Sequence, residues 1–215
     1  MIDTPQLELV TGTRNPGKIR EIKTLLGGLP VIVRSLTDFP DIPIVDEVGK
    51  TYEENSALKA LTYAKWTGLA TLADDSGLEV DALGGMPGPL SARYGGDFAS
   101  DSDRTRKLLS ALDQKQTEPR TARFFCCLTF AGWDLQQMLR NDEPVILKVS
   151  KGKIEGQIAK EPRGLSGFGY DPVFVPTGHE VTLAELPIAL KNRISHRAQA
   201  LAAMRTFLEH WVRRA

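Results

Sequence analysis

The sequence predicts an α/β fold, and three observations lead there. Strand-like and helix-like stretches alternate along the 215 residues, as they do where helices cover a sheet. No internal repeat, low-complexity tract or linker interrupts the alternation, so one domain spanning 1–215 is expected, with residues 1–6 a loose N-terminus. Hydrophobic residues make up 41% and charged residues 25%. A chain so composed, at this length, buries a core without a metal or disulfide staple.

Residues 7–10 read as a first short strand. Over 16–26, Ile19, Ile22, Leu25 and Leu26 recur at helical spacing; Asn15 supplies an N-cap, Pro16 suits the first turn and Gly27-Gly28 close the helix. A second helix is predicted over 52–66, with Ala57, Leu58, Leu61 and Ala64 inward and Gly68 as its stop. Residues 69–73 read as a brief buried strand that ends abruptly at Asp74-Asp75-Ser76-Gly77. The Gly84-Gly85-Met86-Pro87-Gly88 segment reads as a rigid turn, and Leu108, Leu109 and Leu112 mark a helix after Ser100. Strands are predicted over 123–131 and 145–158, the second broken by a turn at Lys151-Gly152-Lys153. A final amphipathic helix begins at Ser195, with Leu201, Met204, Leu208 and Trp211 on one side.

Lys plus Arg (27) balance Asp plus Glu (27), so no long-range field attracts a nucleic-acid backbone. A small phosphorylated ligand suits that balance better than DNA. Cys126 and Cys127 are adjacent in an apolar run, where side chains alternate faces, and read as reduced core residues. The opening MIDTPQLELV has no apolar segment of signal-peptide length, and nothing approaches the roughly 20 apolar residues of a bilayer span. A cytoplasmic location without a membrane partner is the expectation.

Four segments carry candidate chemistry. In TRNPGK (Thr13, Arg14, Asn15, Pro16, Gly17, Lys18) a strand meets a helix start, where backbone N–H groups face an anion and Lys18 adds charge; the same pattern also describes a plain capped helix. Gly12 and Gly17-Lys18 match part of a P-loop, but Ile19 stands where that motif needs a hydroxyl for Mg²⁺. Asp74-Asp75, preceded by Asp46-Glu47 and Glu53-Glu54, offers carboxylates of the kind Mg²⁺ takes one or two at a time. In an extended backbone only one of the pair reaches a given metal, and acidic pairs are also common in solvated turns. The third segment, GLSGFGYDP (Gly164 to Pro172), combines flexible backbone, two aromatic rings and a carboxylate, which suits base stacking or equally a tight turn anchored by a buried Phe. KNRISHR (Lys191 to Arg197) gathers positive charge at a predicted helix start, against the dipole, and such a local cost points to a ligand. His179 and His210 read as surface residues. GxSxG, HExxH, CxxC and GxGxxG motifs are absent, so serine-hydrolase, zinc and dinucleotide readings lack support.

Taken in order, TRNPGKIREI, TYEENSALKA, ADDSGLEVDALGGMPGPLSARYGG, RTARFFC, EPRGLSGFGYDPVF and KNRISHRAQAL resemble the inosine-triphosphate pyrophosphatase family, also called Ham1-like. The blocks span Thr13 to Leu201. The resemblance implies an elongated central mixed sheet with flanking helices, two lobes with a nucleotide cleft between them, and a homodimer. It implies Mg²⁺-dependent cleavage of dITP, ITP and XTP between the α- and β-phosphates. Carried over by position, Thr13 to Lys18 bind the triphosphate, Asp75 is the catalytic acid-base or metal-holding residue, and Ser76 touches substrate. Phe168, Gly169, Tyr170, Asp171, Lys191, His196 and Arg197 complete the nucleotide site. A further metal ligand is Asp46 or Glu47, and Lys59 is a second candidate phosphate cation. Ser56 replaces the family's usual Ala, and Ala189-Leu190 replace acids that commonly precede the lysine. The stretch 132–144 is longer and less family-like.

Overall fold

A computed structural model describes residues 7–96, 98–133 and 143–213; residues 1–6 and most of 132–144 lie outside the described residues. Strands β1 (Leu7–Thr11), β2 (Val31–Ser35), β3 (Ala70–Val80), β4 (Thr121–Gly132), β5 (Val145–Ile158) and β6 (Phe174–Pro176) form one sheet in the order β2-β1-β3-β4-β5-β6. β1 is parallel to both β2 and β3, with Leu9 opposite Val33 and Ala70, whereas β5 and β6 are antiparallel. The sheet is therefore mixed. Helices α1 (Pro16–Leu25), α2 (Tyr52–Thr67), α3 (Asp101–Asp113), α4 (Ile188–Ile194) and α5 (His196–Val212) complete the expected α/β class.

The chain divides into two compact units, one comprising Met1–Asp75, Cys127–Lys151 and Ala200–Ala215, the other Ser76–Cys126 and Gly152–Gln199. In the first, α1 is capped as predicted, with the Asn15 side chain accepting from Gly17 and Lys18 backbone N–H. Thr51 and Glu54 form a reciprocal capping box at the start of α2, and Gly68 ends it in the left-handed region at φ 67°. Ala60 and Ala64 pack with Ala73 and Ala131, small residues that let the helix approach the strands closely. The second unit is built around Leu78, Val80, Leu108, Leu112, Phe124 and Phe174, with the two phenylalanine rings 4.8 Å apart.

Several expectations are corrected. β3 does not stop at the acidic pair but continues to Val80, with Leu78 and Val80 buried. The acids sit inside the strand because lysines from other elements partner them. β5 is continuous through Lys151-Gly152-Lys153, where both lysines are exposed and Gly152 is buried, so buried and exposed residues alternate from Ser150 to Glu155 as in a strand rather than a turn. β2, an edge strand, is half-buried and lacks clear alternation, which is why the pattern passes over it. The final helix does begin after Ser195 as expected, that hydroxyl accepting from Ala198 N–H at 3.1 Å in α5, but a short unpredicted helix, α4, precedes it and ends at Ser195.

The face of α2 also differs from the one predicted. Its buried residues are Tyr52, Asn55, Ser56, Lys59, Ala60, Tyr63 and Ala64, a regular helical stripe, while Ala57, Leu58 and Leu61 are only partly buried. Three polar side chains hold the inward positions, so apolar spacing alone misplaces the stripe by about one residue. That polar stripe is what builds the site.

Candidate active site

In the first unit, a Cβ on Gly12 would meet Ala73 Cβ at 2.8 Å, so only glycine lets the chain leaving β1 lie directly against β3. That close approach carries Lys18, in the first turn of α1, to Asp74, whose carboxylate is fully buried; Lys18 Nζ lies 3.1 Å from Asp74 Oδ1. Asp75 is 3% exposed and, on an extended strand, faces the other way. There α2 meets it. Asn55 Nδ2 donates to Asp75 Oδ2 at 3.0 Å, and Lys59 Nζ stands 3.9 Å from Asp75 Oδ1. Lys59 also makes a close ion pair with Glu47, from the loop before α2. Asp46 is exposed.

The charges in this cluster depend on each other. Burial disfavours the Lys59 ammonium, but Asp75, Glu47 and Asp74 together outweigh it and hold its pKa above the ordinary lysine value. Burial pushes the Asp75 carboxyl upward, and the Glu47 charge adds to that, against the opposing pull of Lys59, Lys18 and the Asn55 hydrogen bond. Asp75 is thus a buried carboxylate whose proton affinity is raised chiefly by its burial, a perturbation of the kind that clusters at functional sites.

Among the described residues no group of three or more His, Cys, Asp or Glu forms a protein cage for a metal. Mg²⁺ does not need one, because it binds through one or two carboxylates together with waters and substrate phosphates. Asp75, with Glu47 on the shared partner Lys59, fits that requirement.

The segment from Thr13 to Lys18 is less open to an anion than its sequence suggests. Asn15 Oδ1 accepts from Gly17 N at 2.9 Å and Lys18 N at 3.1 Å, and Pro16 has no N–H. Thr13 Oγ1 accepts from Asn15 N, and Arg14 Nη2 donates to Ile42 O at 2.6 Å. The backbone N–H groups of Thr13, Asn15, Gly17 and Lys18 are therefore already used, and positive charge at this loop comes from the side chains of Lys18 and Arg14. A P-loop is not present here in form or in geometry.

The second unit holds the other predicted cluster. A Cβ on Gly167, at φ +83°, would fall 2.1 Å from Asp171 Oδ2, so the glycine lets the loop fold onto that carboxylate. Asp171 Oδ2 accepts from Phe168 N at 2.9 Å and from Lys191 Nζ at 2.6 Å, and the Lys191 ammonium stands 4.9 Å from the Phe168 ring centroid. Arg197, 1% exposed, lies 5.7 Å from the same ring and donates to Ser76 Oγ at 2.9 Å. His196 stacks on Phe124 at 4.7 Å, and Gly169 N donates to Asp101 Oδ2 at 2.6 Å. Tyr170 is buried in the core with its hydroxyl donating to Ser91 O, and that burial raises its pKa. Phe168, Asp171, Lys191, Arg197 and Ser76 therefore come together, while the Tyr170 side chain serves packing. The dipole argument for the basic segment holds only in part: Lys191 and Arg193 lie in the last turn of α4, where positive charge is favoured, and only His196 and Arg197 open a helix.

The Ham1 family model matches residues 9–207. The chain belongs to the Ham1 family. The dITP/XTP pyrophosphatase of Geobacter sulfurreducens is 48% identical over 200 residues, covering 93% of this chain and 96% of that protein. A solved HAM1 protein from Coxiella burnetii superposes with a TM-score of 0.82 at 42% identity, covering 95% of this chain and 99% of that one. A nucleoside-triphosphatase / dITP/XTP pyrophosphatase from Mycobacterium abscessus gives a TM-score of 0.68 at 40% identity over 92% of this chain and 98% of that one. Within the Ham1 blocks, sequence reasoning passes over Asn55. Its signal was available: Asn55 and Lys59 are four apart and so share one helix face. Ser56, the departure from the usual Ala, is also accommodated, its hydroxyl 2.8 Å from Thr129 Oγ1 on β4.

Proposed function

We propose that this Ham1-family chain hydrolyses non-standard purine nucleoside triphosphates, namely dITP, ITP and XTP, to the nucleoside monophosphate and pyrophosphate. The observation that carries the reading is the set of buried Asp74 and Asp75 and half-buried Glu47 interleaved with Lys18 and Lys59. Relatives named dITP/XTP pyrophosphatase, matched over more than nine-tenths of this chain, support the substrate class.

Mg²⁺ held by Asp75 and Glu47 would supply charge neutralisation at the phosphate oxygens. Asp75 orients the attacking water at the α-phosphorus and is placed to take its proton. Lys18 and Lys59 offset the negative charge that grows on the departing pyrophosphate. Phe168 stacks on the purine, and Lys191 and Arg197 offer N–H donors to its edge. Hypoxanthine and xanthine carry a 6-oxo acceptor where adenine has an amino donor, so adenine would leave donors facing each other. Each such unpaired buried group costs about 1–3 kcal/mol. We place the enzyme in the cytoplasm as a homodimer, without nucleic-acid or membrane partners. Among the described residues, no helix is long and apolar enough to cross a membrane.

The deciding experiment incubates the purified chain with dITP, with and without Mg²⁺, and resolves the products. dIMP and pyrophosphate are expected, and only with metal. Orthophosphate as the direct product, or unchanged turnover in EDTA, overturns the reading. Base recognition is tested separately. Arg197→Ala should narrow the kcat/KM ratio of dITP over dATP by about tenfold, the value of one lost matched hydrogen bond, while Phe168→Ala weakens both nucleotides alike. An unchanged ratio in Arg197→Ala would show that selectivity lies elsewhere. For the assembly, light scattering should give twice the chain mass, and a fully active, concentration-independent monomer would contradict the dimer.

A further inference from the structure

We infer that Asn55 is a positioning residue for Asp75, and that its single buried amide holds the catalytic carboxylate and the Glu47 loop in one register. The inference rests on the reading of Asp75 given above. Asn55 is 1% exposed, and both ends of its amide are engaged. Its Nδ2 donates to Asp75 Oδ2 at 3.0 Å, on β3. Its Oδ1 accepts from Gly49 N at 2.8 Å, two residues after Glu47. A Cβ on Gly49 would stand 2.6 Å from Asn55 Oδ1, so the loop reaches this amide only because residue 49 is glycine.

The consequence for Asp75 is geometric. With Oδ2 tied to Asn55, the carboxylate cannot rotate about its last bond without losing that hydrogen bond, and Oδ1 stays on the side of Lys59 at 3.9 Å. Asn55 and Lys59 lie four residues apart on the buried stripe of α2, so one rigid helix sets both partners of Asp75. The same amide fixes the backbone that carries Glu47, whose own contact is again Lys59. Partners of this kind, which orient a carboxylate without touching substrate, typically change activity by 10- to 100-fold when removed.

A double-mutant cycle separates positioning from general support of the fold. Asn55→Ala and Asn55→Ser are each made in the wild-type and the Asp75→Asn backgrounds, and kcat and KM for dITP are measured with saturating Mg²⁺. In the wild-type background kcat should fall at least about tenfold, with KM changed less than about threefold. In the Asp75→Asn background the same substitution should cost little further, because there is no carboxylate left to position. Asn55→Ser, which keeps a short hydroxyl, provides the cycle if the alanine variant does not fold. An equal fold-loss in both backgrounds, or a loss confined to KM, overturns the inference. Failure of the wild-type chain to release pyrophosphate from dITP is a different outcome, since it rejects the proposed function itself.

Discussion

Asp75→Asn is expected to lower kcat by about 10²-fold or more while leaving the chain folded, because a neutral amide is neither a base nor a good Mg²⁺ ligand. The structure sharpens what the substitution does. Asp75 is 3% exposed and shared between Asn55 and Lys59, so the isosteric amide keeps the volume and removes the charge. Lys59, also buried, then retains Glu47 as its close partner. Loss of turnover without loss of fold is the consequence. Asp74→Asn is a useful contrast, since Asp74 faces Lys18 and its change should act mainly through that lysine. The check is steady-state turnover of dITP alongside a thermal melt. Near-wild-type kcat in Asp75→Asn would remove this residue from the mechanism.

Lys191→Met is expected to destabilise the protein by about 3 kcal/mol or more, the usual cost of leaving one partner of a buried pair behind. Lys191 and Asp171 are 4% and 3% exposed, and their contact is 2.6 Å. Methionine replaces the stem of the lysine but not its charge, so Asp171 keeps the Phe168 N–H and loses its ammonium. The Gly167 turn, closed onto that carboxylate, should loosen with it. Urea denaturation measures the effect, as a fall in the midpoint at constant slope. Adding Asp171→Asn to Lys191→Met should recover part of the loss, because the buried charge that Lys191 balanced is then removed as well. If the single variant unfolds at the wild-type midpoint, the pair is not what secures this loop.

Much of the fold was legible because it follows from local rules. The Asn15 cap, the Gly68 stop and the helix that follows Ser100 all come from backbone donors and from residues a few positions apart. Where reading failed, the deciding partner was distant in sequence. A strand carrying Asp74-Asp75 looks like a strand that ends there, unless Lys18 and Lys59 are known to arrive beside it. A helix stripe of Asn55, Ser56 and Lys59 looks like an outward face, unless the carboxylate it serves is known to lie underneath.

The candidate site divides the same way. Residue types and their order were enough, without coordinates, to nominate Lys18, Asp75, Phe168, Asp171, Lys191 and Arg197, since the blocks that contain them occur together in order. The sequence by itself thus determined the α/β class, the family and the chemical inventory of the site. Only the tertiary structure decided which groups pair: that Glu47 rather than Asp46 reaches Lys59, that Asp171 supplies the anion Lys191 lacks among its neighbours, that Tyr170 turns into the core, and that the N–H groups at the start of α1 are already held by Asn15. The physical reason is that backbone preferences act over a few residues, whereas a buried charge is tolerable only beside a counter-charge, and that counter-charge is brought from any distance along the chain by packing.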